Sequence, residues 1–92
     1  MSHFPRADEA DKSFSNQQIE TFKRVVETAQ KHAIEVRHMA NSAAILDLPD
    51  SYFDAARPGI AIYGLRPSWE INNPRVNELW PVLEWKSHIT FL

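Results

Sequence analysis

Two strings constrain this chain more than anything else in it. They are His38-Met39-Ala40-Asn41-Ser42-Ala43-Ala44 and Asp54-Ala55-Ala56-Arg57-Pro58-Gly59-Ile60-Ala61-Ile62-Tyr63-Gly64-Leu65. Each brings polar groups or glycine to the place where an apolar strand is expected to end. Ile34 to His38 reads as a short strand. Arg57 to Tyr63 is almost continuously apolar, which is the pattern of a strand buried on both faces. Between them, Ser42 to Leu46 is rich in Ala and Leu, and Asn41 or Ser42 is a candidate cap for a short helix. A buried strand ending in such groups can hold an anionic ligand.

The flanking sequence supplies the cadence. Met1 to Phe4 reads as the end of an element, and the polar stretch Pro5 to Phe14 as a loop. Ser15 and Gln18 have the spacing of a capping box. Ile19, Phe22, Val25, Val26 and Ala29 then recur at helical spacing, with Glu20, Lys23, Arg24, Glu27 and Lys31 on the other side, so one amphipathic helix is expected over residues 16–32. A long helix followed by strand, short helix and strand suits a parallel α/β fold.

Composition shifts after Ser68. Residues 69–81 hold Asn72, Asn73, Pro74 and Pro81 and read as a connector. Leu83, Trp85, Ile89 and Phe91 then alternate with Glu84, Lys86, His88 and Thr90, as in a strand with one wet face. Two or three parallel strands and one long helix cannot cover both faces of a sheet. The last strand has no partner in view and is expected to be an exposed edge.

Composition excludes several functions. The 92 residues carry a formal net charge of -2, which gives no electrostatic footprint for nucleic acid. The apolar runs fall short of the roughly 20 residues a membrane helix needs. The N-terminus lacks the pattern of a secretory signal, so a cytoplasmic protein is expected. There is no cysteine, hence neither disulfide nor thiolate metal site. His3, His32, His38 and His88 lack the paired spacing of a helical zinc site, so no metal is expected.

Taken together, Ser2-His3-Phe4, Ala7-Asp8-Glu9, the string from His38 to Ala44, Arg57-Pro58-Gly59-Ile60 and Tyr63-Gly64 resemble, in order and spacing, a segment of the alanine racemases. The resemblance implies an α/β fold in which residues 1–68 are the C-terminal part of a (β/α)8 TIM-type barrel that binds pyridoxal 5′-phosphate. Residues 69–81 would be a linker and residues 82–92 the first strand of a β-rich domain. It further implies a cytoplasmic, homodimeric enzyme that interconverts L- and D-alanine for cell-wall peptidoglycan. Barrels of this class often hold phosphate with the loops after strands seven and eight. Asn41 and Ser42 would follow strand seven, and Gly59 and Ile60 would lie at strand eight. Ser42 offers a hydroxyl beside helix N–H groups, and Gly59 lets the backbone approach a ligand closely.

In the family, the arginine at the position of Arg57 faces the pyridine nitrogen of the cofactor. Guanidinium can only donate and keeps its proton. The ring nitrogen would stay unprotonated, which makes the cofactor a weaker electron sink and suits simple removal and return of a proton. His38 and His3 match histidines that form a network with this arginine. Asp8 and Glu9 match an acidic pair that a solvated loop explains equally well.

The catalytic groups are not matched. The family's cofactor-bearing lysine lies in an N-terminal strand, and Lys12, Lys23, Lys31 and Lys86 do not sit in that motif. Its second acid/base is a tyrosine of the β-rich domain, which neither Tyr52 nor Tyr63 matches. Racemisation needs a base on each face of Cα, so this stretch alone is expected to be inactive. Two alternatives stay open: a related racemase of another amino acid such as serine or lysine, and a non-catalytic domain that binds phosphate or a partner.

Overall fold

The computed structural model describes residues 1–29 and 32–92. Its helices are α1 (Ser13–Thr28) and α2 (Ser42–Asp47), with 3₁₀ turns at Pro49–Ser51, Ile60–Tyr63 and Pro74–Glu78. α1 starts earlier than the spacing predicts. Asp11 accepts the Ser13 N–H at 2.9 Å and Asn16 N donates to the Lys12 carbonyl. Ser15 is therefore inside the helix rather than its cap. It is fully buried, and its hydroxyl donates to the Arg6 carbonyl at 3.2 Å. The expected end of this helix, with Lys31 on its polar side, falls partly outside the described residues. α2 forms as the sequence suggests, and Asn41 rather than Ser42 caps it, its side chain accepting the Ala44 N–H at 3.0 Å.

One apolar cluster holds these pieces together. Phe4 and Ala7 of the N-terminal loop, Ile19 of α1, Met39 to Leu48 around α2, and Ile71 and Val76 of the later chain meet in it. Phe22 packs edge-on against Phe53, with ring centroids 4.9 Å apart, and this fastens α1 to the turn before Asp54. That geometry is favoured by the positive edge and negative face of aromatic rings.

The expected strands do not form. Among the described residues the only β pairing is an isolated parallel bridge between His38 and Ala55. Ser2 N donates to the His38 carbonyl, Asp54 N to that of Arg37, and Arg57 N to that of Ala40. Residues 37–40 thus run between two other segments. The last two bonds are three residues apart on each chain, however, and a regular parallel ladder repeats every two. Ile34 and Val36 are exposed.

Arg57 to Tyr63 departs further from expectation. Pro58 has no N–H to give a ladder, and Gly59 turns the chain into the 3₁₀ turn Ile60–Tyr63. The Ile62 N–H is taken by the carbonyls of Pro58 and Gly59, and the Ala61 N–H by a side chain. Gly64 ends the turn with φ +73°. A Cβ there would meet the Trp80 carbonyl oxygen at 1.8 Å, so the crossing of residues 64 and 80 requires glycine.

Residues 82–92 have no strand partner among the described residues. Trp85 is 96 % exposed, and Leu83, Ile89 and Phe91 are also exposed. The radius of gyration is 17.1 Å, against about 12 Å for a compact domain of this length.

Candidate functional site

The N-terminus of α2, the turn at Gly59, and the loop around Asp8 border one open cleft of about 450 Å³. That is within the range of small-molecule sites. Asn41, Ser42, Arg57, Gly59, Ile60 and His3 all line it, and sequence reasoning had singled out each of them. Asp8, Ala43 and Pro67 complete the wall. His38 stands behind it.

Ser42 is held by its place in the first turn of α2. Its Oγ accepts the Ala61 N–H at 3.1 Å, which leaves the hydroxyl proton for an acceptor in the cleft. Gly59 faces it. A Cβ on residue 59 would come within 3.1 Å of this oxygen, so a side chain there would crowd the one hydroxyl that lines the pocket. Asn41 caps the helix through Oδ1, which accepts the Ala44 N–H, and the two donors of its Nδ2 are separate from that bond.

Arg57 is the most constrained cation of the site. Nη1 lies 2.6 Å from Nδ1 of His38 and Nη2 3.0 Å from Nδ1 of His3. Nη2 also donates to the Ser2 carbonyl at 2.8 Å and reaches that of Met39 at 3.4 Å. Guanidinium has no acceptor, so in both contacts the arginine donates and the ring Nδ1 accepts. None of these bonds uses Nε of Arg57.

Two ion pairs lie outside the lining of the cleft, and the sequence signals neither, because their members are distant along the chain. Arg37 embraces Asp54 through Nε and Nη2 at 2.6 and 2.7 Å. With the Arg37 backbone N–H as a further donor, it lowers the Asp54 carboxyl from 3.8 to about 2. Lys12 meets Asp47 at 2.9 Å, their side chains only 14 % and 3 % exposed. Burial pushes the Asp47 carboxyl up, but Lys12 and the N–H groups of Asn72 and Asn73 outweigh it, and the net shift is downward. The other lysines described are paired locally, Lys23 with Glu20 and Lys86 with Glu84. The Tyr52 hydroxyl donates to the Ile45 carbonyl.

Among the described residues no helix is long and apolar enough to cross a membrane, and no group of three or more His, Cys, Asp or Glu side chains is placed to hold a metal ion.

Residues 1–67 match the family model described as the alanine racemase N-terminal domain. The alanine racemase of Syntrophobacter fumaroxidans is 46% identical over 90 residues, covering 97% of this chain and 24% of that protein. Among solved structures, the alanine racemase of Streptomyces coelicolor A3(2) superposes with a TM-score of 0.75 at 45% identity, over 87% of this chain and 21% of that one. The alanine racemase of Clostridium difficile 630 in complex with cycloserine superposes with a TM-score of 0.71 at 33% identity, over 79% of this chain and 20% of that one. The chain spans about a quarter of the length of the curated relatives it matches, and it belongs to the alanine racemase family.

Proposed function

We propose that this chain forms the cofactor-facing part of a pyridoxal-phosphate-dependent alanine racemase that interconverts L- and D-alanine in the cytoplasm, for peptidoglycan supply, as a homodimer. The observation that carries the reading is the convergence of Ser42, Gly59 and Arg57 on one cleft. The donor set fits the cofactor. Ser42 has a free hydroxyl proton for a phosphate oxygen, and the bare backbone of Gly59 and Ile60 leaves room beside it. Arg57 offers Nε to a ring nitrogen, while His38 and His3 fix its plane much as outer-shell partners orient metal ligands. The cofactor supplies the electron sink that makes the Cα proton of the amino acid removable.

Within this reading, residues 1–68 are the C-terminal part of a (β/α)8 barrel, 69–81 a linker, and 82–92 the first strand of a β-rich domain. Segments 1–4, 37–40 and 54–57, lying side by side, would be neighbouring barrel strands that become regular when the rest of the barrel flanks them. The residues that remove and return the proton are not among these 92. Lys12 is engaged in structural bonds and Tyr52 is tied to Ile45.

The reading has a direct test. Residues 1–92 are exchanged for the matching quarter of the Syntrophobacter fumaroxidans racemase, and racemisation of alanine, serine and lysine is measured. The chimera should racemise alanine best, and the 92 residues alone should give no D-alanine above free cofactor. Arg57→Glu in the chimera should slow the reaction, because a carboxylate favours a positive charge on the group it faces. A chimera that folds and binds pyridoxal phosphate but prefers serine or lysine would overturn the substrate assignment. One that folds but does not bind the cofactor would overturn the whole reading.

A further inference from the structure

We propose that Lys12 is a positioning residue that sets the width of the cleft by holding two of its three borders to one ammonium group. The inference rests on the reading of the cleft as the cofactor site. One of these walls is the loop of residues 7–9, which contributes Asp8; the second is α2, which contributes Ser42 and Ala43; the turn at Gly59 is the third border. Lys12 Nζ donates to the Ala7 carbonyl at 2.9 Å and the Glu9 carbonyl at 2.5 Å, on either side of Asp8. It also pairs at 2.9 Å with Asp47, the last residue of α2. An ammonium has three donors, and here each has an acceptor.

α2 has six residues, so it is about 9 Å long at 1.5 Å per residue. A rod this short carries a displacement at Asp47 to Ser42 with little bending. Asp47 is itself seated from the opposite side, since its two oxygens accept the N–H groups of Asn72 and Asn73 at 3.0 and 2.9 Å. The Asn73 amide donates to the Leu46 carbonyl at 2.6 Å. The far end of α2 is thus seated between these N–H groups and Lys12, and Lys12 is the side chain that joins it to the Asp8 loop. Lys12 does not line the cleft, so its effect on a ligand passes through the walls.

The test compares the full chain with Lys12→Met and Lys12→Arg. Amide exchange is followed at Ala10, whose N–H donates to Glu70 next to the loop, and at Ala44 in α2. Binding is followed with pyridoxamine 5′-phosphate, which has no aldehyde to react with lysines. Lys12→Met should speed exchange at both amides and weaken binding at least about tenfold. Arginine keeps a charge opposite Asp47, but its flat fork does not fit three acceptors grouped around an ammonium. Lys12→Arg should therefore keep the melting midpoint within about 3 °C while still weakening binding about tenfold.

Wild-type affinity in Lys12→Arg, or faster exchange at one wall only, would reduce Lys12 to an ordinary buried ion pair and overturn the proposal. Should Lys12→Met fail to fold, Lys12→Arg decides alone. Should the unaltered chain fail to bind the probe, the cofactor reading fails, and the two exchange rates still decide whether Lys12 braces the walls.

Discussion

Residues 38–57 and residues 80–92 are both rich in apolar side chains, and the fold treats them in opposite ways. Met39, Ala40, Ala43, Ala44 and Leu48 are buried, whereas Trp80, Val82, Leu83, Trp85, Ile89 and Phe91 are exposed. Hydrophobicity is not what separates them, since the later segment carries the larger side chains. The earlier one is crossed by polar ties. Arg57 gathers His38, His3 and two carbonyls, and Asp47 gathers Lys12, Asn72 and Asn73. The later segment has one backbone bond to the turn at residue 63 and a local Lys86–Glu84 pair. Burial of apolar area is non-directional; these polar ties select which apolar groups meet, and they also shape the cleft.

The contrast breaks most sharply if charge is placed in each region in turn. Ala44 is 0 % exposed, and Ala44→Asp should cost about 4 kcal/mol, the penalty of an unpaired buried charge. A urea unfolding curve with an unshifted midpoint would count against the packing described. Next in size is the Lys12–Asp47 tie. Lys12→Met leaves a carboxylate with one counter-charge fewer in a nearly closed site, and about 3 kcal/mol should be lost on the same measurement.

A smaller effect is expected on acidification. The Asp54 carboxyl is lowered from 3.8 to about 2, first by its side-chain bond to Arg37. A carboxyl lowered on folding contributes stability that is fully present above its unfolded value and lost as pH falls through its folded one. The contact should thus be intact above pH 4 and fade toward pH 2, and the Asp54 carboxyl carbon should report this by NMR titration. In Arg37→Met the midpoint should move back up toward 3.8. Smallest of all, Trp85→Asp should change stability by no more than about 0.5 kcal/mol, because the ring is 96 % exposed. A larger loss would mean that residues 82–92 have a partner within this chain.

What the sequence made legible was local chemistry. Asn41 sits next to the helix it caps, and Arg57, Gly59 and Ile60 lie close together in the chain, so the residues that the resemblance singles out also line one cleft. The expected strands are not formed here because a strand is completed by a neighbour. Residues 34–36 have the composition but no adjoining backbone among the described residues. Pro58 and Gly59 interrupt the apolar run that follows Arg57, and the run bends into a 3₁₀ turn. The Lys12–Asp47 and Arg37–Asp54 ties were invisible because each joins distant residues of common type. Ser15 suited a cap by spacing, yet Asp11 takes the Ser13 N–H first, so the helix begins before it.

The proposed function puts a pyridoxal-type phosphate in the cleft at Ser42, Gly59 and Arg57 and leaves residues 82–92 out of contact with it. Titrating pyridoxamine 5′-phosphate into isotopically labelled chain, with backbone amides and arginine Nε–H signals followed by NMR, tests this most directly. Saturable shifts are expected at Ser42, Gly59, Ala61 and the Nε–H of Arg57, with residues 82–92 unmoved. Saturable shifts confined to residues 82–92 or to the outer face of α1, or none anywhere, would contradict it.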